Sequence, residues 1–356
     1  MTLSLALKAT VPAAFFGYAI AANLTLFSKP DTPMPVLESV FDGKITHDID
    51  TLYRDSLPHK APAVGLIGAA RYLLLDEGRP GVVVGRGGTL FTSEEFRAPD
   101  PLTYKKALLE IAAVANDLQA QGVELLVAPL PAKVDLLRAQ SPDADESRRL
   151  ELFYSAFLQD LNELGIQAID TRPALLPLSQ PFLITDTHWT PEGASAVAQL
   201  IASSETLAGG TEQFLTQTDA TTKFAGDLVT YVTSDALAPR IGLAPEQVTP
   251  YRAIAQATDG GVVDIFDNSA EGSEKVDLVG TSYSANPNWS FAEALKLALH
   301  RDVINYAEEG KGPFAPMQSY MAKRDPLDGA AQVIWEIPVR YLTDPAMLTT
   351  GAEDQV

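Results

Sequence analysis

Apolar positions along the chain form one long unbroken run and then a series of short segments that alternate in period. The long run is Ala9 to Phe27 (ATVPAAFFGYAIAANLTLF), uncharged throughout, with Lys8 before it and Lys29 after it. As a helix it would extend about 28 Å, close to the roughly 30 Å hydrocarbon core of a bilayer. Two readings stand side by side: an uncleaved signal anchor with Lys8 on the cytoplasmic side, or a signal peptide cut after Ala21 in the small-x-small sequence Ala19-Ile20-Ala21. A buried terminal helix is the third, and Pro12, Gly17 and the absence of a cap count against it. Either of the first two exports the rest of the chain. Residues 1–28 are thus expected to be the anchor or peptide. Residues 29–75 are expected to be a linker and N-terminal extension, opening with the proline-rich spacer Ser28–Pro35 (SKPDTPMP).

Beyond residue 75 short β-type runs alternate with helical periods. Strands are predicted at Gly81–Gly85 (GVVVG), Val123–Leu130 (VELLVAPL), Ile166–Asp170 (IQAID), Lys275–Gly280 (KVDLVG) and Asp302–Tyr306 (DVINY). Helices are predicted at Leu102–Gln121 and Glu146–Leu164, stopped by Gly122 and Gly165. Two more are predicted at Glu192–Ala202, entered through Pro191, and at Phe291–Leu299. This alternation predicts an α/β domain with a mostly parallel sheet and helices on both faces, over residues 76–345. Residues 211–268 lack clean periodicity and are expected to be an insertion; 346–356 form a tail. There is no internal repeat.

Composition narrows the chemistry. The 356 residues include 46 acidic and 26 basic side chains, a formal net charge of −20, with 46% hydrophobic and 20% charged residues. These proportions are globular rather than disordered. The acidic excess repels phosphate backbones, so nucleic acid is an unsuitable partner. The absence of cysteine excludes disulfides, thiolate metal sites and a cysteine nucleophile. The four histidines are His47, His59, His188 and His300, too few and too scattered for a multi-histidine metal centre.

Two segments carry candidate chemistry. Ser282 stands where the strand Lys275–Gly280 runs into Thr281-Ser282-Tyr283-Ser284, at the carboxyl end of a strand, where open α/β sheets place their ligands. Backbone N–H groups at such a turn can hold an oxyanion; the plainer reading is a helix cap or turn residue. In Thr185-Asp186-Thr187-His188-Trp189-Thr190-Pro191, Asp186 and His188 are two apart and share one face of extended chain. Such a pair lets the carboxylate fix the imidazole tautomer and leaves Nε2 to accept a hydroxyl proton. The plainer reading makes Asp186 a cap and His188 a surface residue, and a metal reading lacks a third histidine nearby. His47 and His59 lie in a polar stretch and His300 ends a helix. The cluster Gly85-Arg86-Gly87-Gly88 matches no phosphate-binding pattern and reads as a turn between strands.

Several segments together resemble the AlgJ/AlgX type of polysaccharide O-acetyltransferase, whose catalytic domain is SGNH-hydrolase-like. They are Glu77–Phe96, Leu125–Leu136, Phe182–Ala194 (FLITDTHWTPEGA), Val279–Phe291 (VGTSYSANPNWSF) and Gly310–Met317. Ordinary SGNH esterases place the serine early and the Asp/His pair late. In the family, as here, the order is reversed, and His188 precedes Ser282 by 94 positions. The resemblance implies an SGNH-like sheet with circularly permuted motif order. It also implies a triad of Asp186 as orienter, His188 as base then acid, and Ser282 as the nucleophile that becomes acetylated, with Ser284 as the local competitor. Oxyanion donors are expected at the Ser282 N–H, Tyr283 and Asn305, and a sugar-facing rim at Asn286, Asn288 and Trp289. No metal or other cofactor is implied.

The implied partners are an exopolysaccharide acceptor (alginate, acetylated cellulose or another polymer), a membrane-bound MBOAT-type acyl donor protein, and other polysaccharide-assembly proteins that could receive the acetyl group in a relay. The implied location is the periplasm, at the inner membrane. The AlgX type carries a C-terminal carbohydrate-binding module for which this sequence leaves no room, and with the N-terminal run this favours the AlgJ-like arrangement. Thr89 replaces the family's tryptophan after the glycine turn, a change expected to affect packing. A net charge of −20 requires a local basic patch to receive an anionic polymer, for which Arg71, Arg79, Arg86, Arg97, Lys105 and Lys106 are the candidates. An acetylesterase using the same triad with water, and a non-catalytic assembly scaffold, are the two rival functions.

Overall fold

The computed structural model describes residues 2–28, 43–57, 59–204, 207–256, 275–324 and 330–348, without the side chains of 2–9, 11 and 55. A four-stranded parallel sheet forms its centre: β3 (Glu124–Leu130), β10 (Gln332–Pro338), β8 (Lys275–Val279) and β9 (Asp302–Asn305), hydrogen-bonded in that order. Register pairs Val333 with Leu125, Ile334 with Leu278, and Val276 with Val303. Because all four strands run in one direction, their carboxyl ends collect Pro131–Lys133, Thr281–Ser282, Tyr306 and Arg340 along one edge.

Capping residues set the helices that pack on this sheet. In α4 (Pro101–Ala120) the Asp100 carboxylate accepts from the N–H groups of Leu102 at 3.3 Å and Thr103 at 3.2 Å, and Pro101 occupies the first turn. Asp143 does the same for α5 (Ala144–Glu163), accepting from Asp145 N–H at 2.8 Å. Thr190 caps α6 (Pro191–Ser203), accepting from Gly193 N–H at 3.1 Å. Gly122 and Gly165 adopt φ of +74° and +71° immediately after α4 and α5, the left-handed stop their positions predict. One apolar core joins Ile111, Leu118, Tyr154, Phe157, Val197 and Ile201 of these helices to Val127, Leu278 and Ile334 of the sheet. It also takes in α7 (Phe291–Leu299) and α8 (Phe314–Lys323).

The remaining strands form small antiparallel pairs: β1 (Val82–Val84) with β2 (Leu90–Thr92), β4 (Phe214–Thr218) with β7 (Tyr251–Ala255), and β5 (Thr222–Phe224) with β6 (Glu246–Val248).

Several expectations change. The strand expected at Gly81–Gly85 is β1 and lies outside the main sheet. Ile166–Asp170 contributes only one parallel bridge, Ala168 to Val127. The central strand β10 has no counterpart among the expected strands, although QVIWEIP is buried along its whole length. Residues 43–75, expected as linker and extension, contain α2 (Ile45–Ser56) and α3 (Lys60–Leu75); positions 29–42 lie outside the described residues. The irregular stretch 211–268 contains β4 to β7, and 257–268 is not described. The N-terminal run lies in α1 (Thr2–Phe27). Among the described residues no helix is long and apolar enough to cross a membrane.

Candidate active site

Glycine is required where β8 gives way to the serine turn. A Cβ on Gly280 would lie 2.5 Å from Glu336 Oε2 and 2.9 Å from Glu336 Cβ. This close approach lets the buried Glu336 carboxylate, on β10, accept from Thr281 N–H at 2.8 Å and from the Ser284 hydroxyl at 3.0 Å. Ser284 is thereby buried and committed. Ser282 stays half-exposed at the first position of the helical turn Ser282–Ala285, where a backbone N–H has no partner within the turn. Burial pushes the Glu336 carboxyl up to about 7 despite the hydrogen bonds it accepts.

The segment Thr185–Thr190 brings the other two groups. His188 Nε2 lies 2.7 Å from Ser282 Oγ, and His188 Nδ1 lies 2.6 Å from Asp186 Oδ1. Asp186 Oδ1 also accepts the His188 backbone N–H at 2.9 Å, and Oδ2 accepts the N–H of Asp227 at 2.9 Å. Burial opposes the charge on Asp186, but the hydrogen bond and charge of His188 outweigh it and hold the carboxyl below its ordinary range. Two neighbouring groups and a serine 94 positions away thus form one continuous hydrogen-bonded chain from carboxylate to hydroxyl. Asp227 brings a second carboxylate within 4.8 Å of Asp186 and His188, a composition that could suggest a cation. Its oxygens, however, accept from Thr187 N–H at 2.9 Å and from the Thr187 hydroxyl at 2.5 Å. At 2.6 Å, His188 Nδ1–H donates to the Asp186 carboxylate. The donor set is therefore that of an acid–base relay.

The other expected site residues fall elsewhere. Tyr283 is buried: its hydroxyl donates to the Thr187 carbonyl at 2.7 Å and accepts from Arg340 at 2.6 Å, so it braces the histidine segment and has no free donor for an oxyanion. Trp289 is also buried, not at a rim. Its ring stacks on His188 at 5.1 Å and 21°, with Phe224 behind it at 6.0 Å. Asn305 donates to the Ser284 carbonyl at 2.7 Å and accepts from Ala307 N–H at 3.0 Å, a brace between strand end and turn. Asn286 accepts from Asn288 N–H at 2.9 Å. With Asn288, Asn305, Tyr251 and Arg252 it lines a cavity of about 640 Å³ beside the serine turn. Of the expected basic patch, Arg71 pairs with Glu77 at 2.9 Å, Arg97 pairs with Asp344 at 2.6 Å, and Arg79 bonds the Thr230 carbonyl.

Four further residues hold the site. Lys133 is buried after the end of β3, and its ammonium donates to the carbonyls of Leu90, Ile184 and Asp186 at 2.6, 2.9 and 2.9 Å. Burial pulls its pKa down to about 8 against the pull of Glu95 and other carboxylates. Glu95 accepts the N–H groups of Lys133 and Val134, each at 2.9 Å. Glu246 accepts the hydroxyl of Thr185 at 2.7 Å. Arg340 lies over the Tyr283 ring, 5.2 Å from its centre. A charged residue at or after the end of an apolar strand marks both Lys133 and Arg340 in the sequence, but only for a reader who already knows which strands are adjacent.

Known proteins share this fold and sequence. The family model described as SGNH hydrolase-like domain, acetyltransferase AlgX, matches residues 82–339. The probable alginate O-acetylase AlgJ of Pseudomonas syringae pv. tomato is 39% identical over 316 residues, covering 85% of this chain and 80% of that protein. Its counterpart in Pseudomonas aeruginosa is 34% identical over 349 residues, covering 93% and 88%. The O-acetyltransferase domain of Pseudomonas putida AlgJ superposes with a TM-score of 0.63 at 33% identity, covering 74% of this chain and 93% of that one. Pseudomonas aeruginosa AlgX, at 22% identity and a TM-score of 0.56, shares the fold. The family model over residues 82–339, together with the AlgJ relatives at 34–39% identity, places the chain in the AlgX/AlgJ family of SGNH hydrolase-like acetyltransferases and makes it an O-acetyltransferase.

Proposed function

We propose that the chain transfers acetyl groups to hydroxyls of alginate or a similar exopolysaccharide through an acetyl-Ser282 intermediate. The observation that carries this reading is the relay Asp186–His188–Ser282, with successive contacts of 2.6 and 2.7 Å. Ser282 Oγ attacks the donor's acetyl carbonyl while its proton passes to His188 Nε2. The resulting imidazolium is stabilised by the ionised Asp186, and the oxyanion is held by the Ser282 N–H. Collapse breaks the bond to the donor's leaving group, which takes the proton from Nε2. A sugar hydroxyl then repeats the sequence: its proton goes to His188, its oxygen attacks the acetyl-serine, and Ser282 leaves with the proton returned. Alginate is the acceptor named for the relatives at 34–39% identity.

The uncharged run Ala9–Phe27 supports an export signal or anchor, and with it a periplasmic site of action at the inner membrane. An acetyl donor delivered by a membrane-bound MBOAT-type protein fits that location, as does assembly with other proteins that process the polymer.

Intact-mass spectrometry after incubation with an activated acetyl ester tests the chemistry. The wild type is expected to gain one acetyl group, about 42 Da, and Ser282→Ala none. Addition of oligomannuronate should then return the mass to its starting value, with the acetyl group recovered on sugar. Recovery as free acetate alone would make the enzyme an esterase, and equal labelling of Ser282→Ala would remove Ser282 as the nucleophile.

A further inference from the structure

Helix α3 has its amphipathicity inverted. At about 100° per residue, Pro62, Leu66, Ala70, Leu73 and Leu74 fall on one arc with Ile67 at its edge. That arc faces outward: Leu66 is 65% exposed, Ile67 62%, Leu73 60% and Leu74 80%. The face turned to the protein holds Gly65, Gly68 and Ala69. Gly68 is required there, because a Cβ would lie 2.0 Å from the Val232 carbonyl oxygen. The Thr233 hydroxyl donates to the Gly65 carbonyl at 2.8 Å. A helix that packs through glycines and presents its leucines is built to bury the leucines against something else.

We infer that α3 lies in the interface of a lipid bilayer, with its leucine face in the acyl region. Three observations favour lipid. Between Lys60 and Leu75 there are two basic and no acidic residues, in a chain whose net charge is −20; Lys60 and Arg71 fall together beyond Ile67, at the border of the apolar arc, where long basic side chains reach headgroups. Arg71 is itself paired at 2.9 Å with Glu77, which follows the helix, so its own charge is balanced within the chain. The helix is about 24 Å long, too short to span about 30 Å of hydrocarbon, and so lies in the plane. The exposed helix α1 meets the chain just before α3. Tyr18 packs edge-on against His59 at 5.1 Å, Tyr53 bonds Asn23, and Phe15, Phe16, Ile20, Leu24 and Phe27 of α1 are likewise exposed.

The placement reaches the active site. The stretch Val232–Ser234 on which α3 rests continues directly from Asp227–Tyr231, and the Asp227 N–H holds Asp186. A bilayer-seated α3 therefore fixes the triad relative to the membrane plane, from which an acyl donor would present its group.

The chain contains no cysteine, so single labels are unambiguous. The full chain carrying Leu74→Cys, Ile20→Cys or Leu152→Cys is labelled with an environment-sensitive fluorophore and reconstituted into phosphatidylethanolamine–phosphatidylglycerol vesicles. Leu152, on α5, is an exposed control. The label at Leu74 should be quenched by a headgroup-proximal nitroxide lipid and several-fold less by aqueous iodide than the label at Leu152. Iodide access at Leu74 equal to that at Leu152 overturns the inference, as does protection from both quenchers, which would mean a second copy covers the helix. Because the inference borrows support from α1 as an anchor, the label at Ile20 separates the two: lipid contact at Ile20 with water at Leu74 retains the anchor alone, and water at both removes both.

Discussion

At the scale of single residues, the site depends on charges buried where burial alone would forbid them. Glu336 is the clearest. Burial pushes its carboxyl up to about 7, against roughly 4.3 in an unfolded chain. A raised folded value means the native state binds the proton more tightly, so the associated stability is complete below the unfolded value and is lost as pH climbs through about 7. Glu336→Gln should therefore gain on the wild type between about pH 4.3 and 7, by up to about 4 kcal/mol, from the 1.36 kcal/mol carried by each pKa unit. Urea melts of both proteins across that range test it; parallel curves would show that Glu336 does not titrate there. The serine and histidine were legible as candidates from Gly280-Thr281-Ser282 and Asp186-Thr187-His188. Glu336 was not, because a lone acid inside QVIWEIP gains meaning only once β10 is known to run beside β8.

At the scale of elements, local signals predicted the elements that stand on local chemistry. The capped helices α4, α5 and α6 begin and end within two residues of their expected limits, since caps and glycine stops act over a single turn. Elements whose stability comes from neighbours leave no such local signal: β10 is a short apolar run without alternation, and α3 breaks the usual inward-apolar rule. Residues Ile166–Asp170 have strand character but only one bridge, because strand propensity needs a partner ladder to be realised. The tie between elements is Lys133, which joins β2 to the segment bearing Asp186 through three carbonyls. Lys133→Met should leave those carbonyls and Glu95 without their donor and counter-charge, at a cost of about 3–5 kcal/mol. Acetyl transfer should fall with stability. Chemical denaturation measures the cost, and a change below about 1 kcal/mol would show that the network closes without the ammonium.

At the scale of the whole molecule, a charge of −20 meets a polymer that, if it is alginate, is itself anionic. Arg71 and Arg97 are engaged by carboxylates of this chain and Arg79 by a carbonyl, so long-range repulsion is expected to dominate the encounter. Raising ionic strength toward a Debye length of about 10 Å at 0.1 M should lower KM for an anionic oligosaccharide while leaving turnover of a neutral ester unchanged. A KM that rises with salt would instead reveal an attractive patch. The sequence by itself determined the α/β alternation, the helix ends, the acidic surface and the exclusion of thiol chemistry, and through two short motifs in permuted order it offered Asp186, His188 and Ser282 as candidates. These are properties of neighbouring residues and of composition, and short-range chemistry is written in the chain directly. Only the tertiary structure decided that Tyr283, Trp289 and Asn305 brace the site, that Ser284 is tied to Glu336, that Asp227 and Lys133 hold Asp186, and that α3 turns its leucines outward. Each of those depends on which distant segments lie side by side, and strand adjacency is settled by the packing of the whole core.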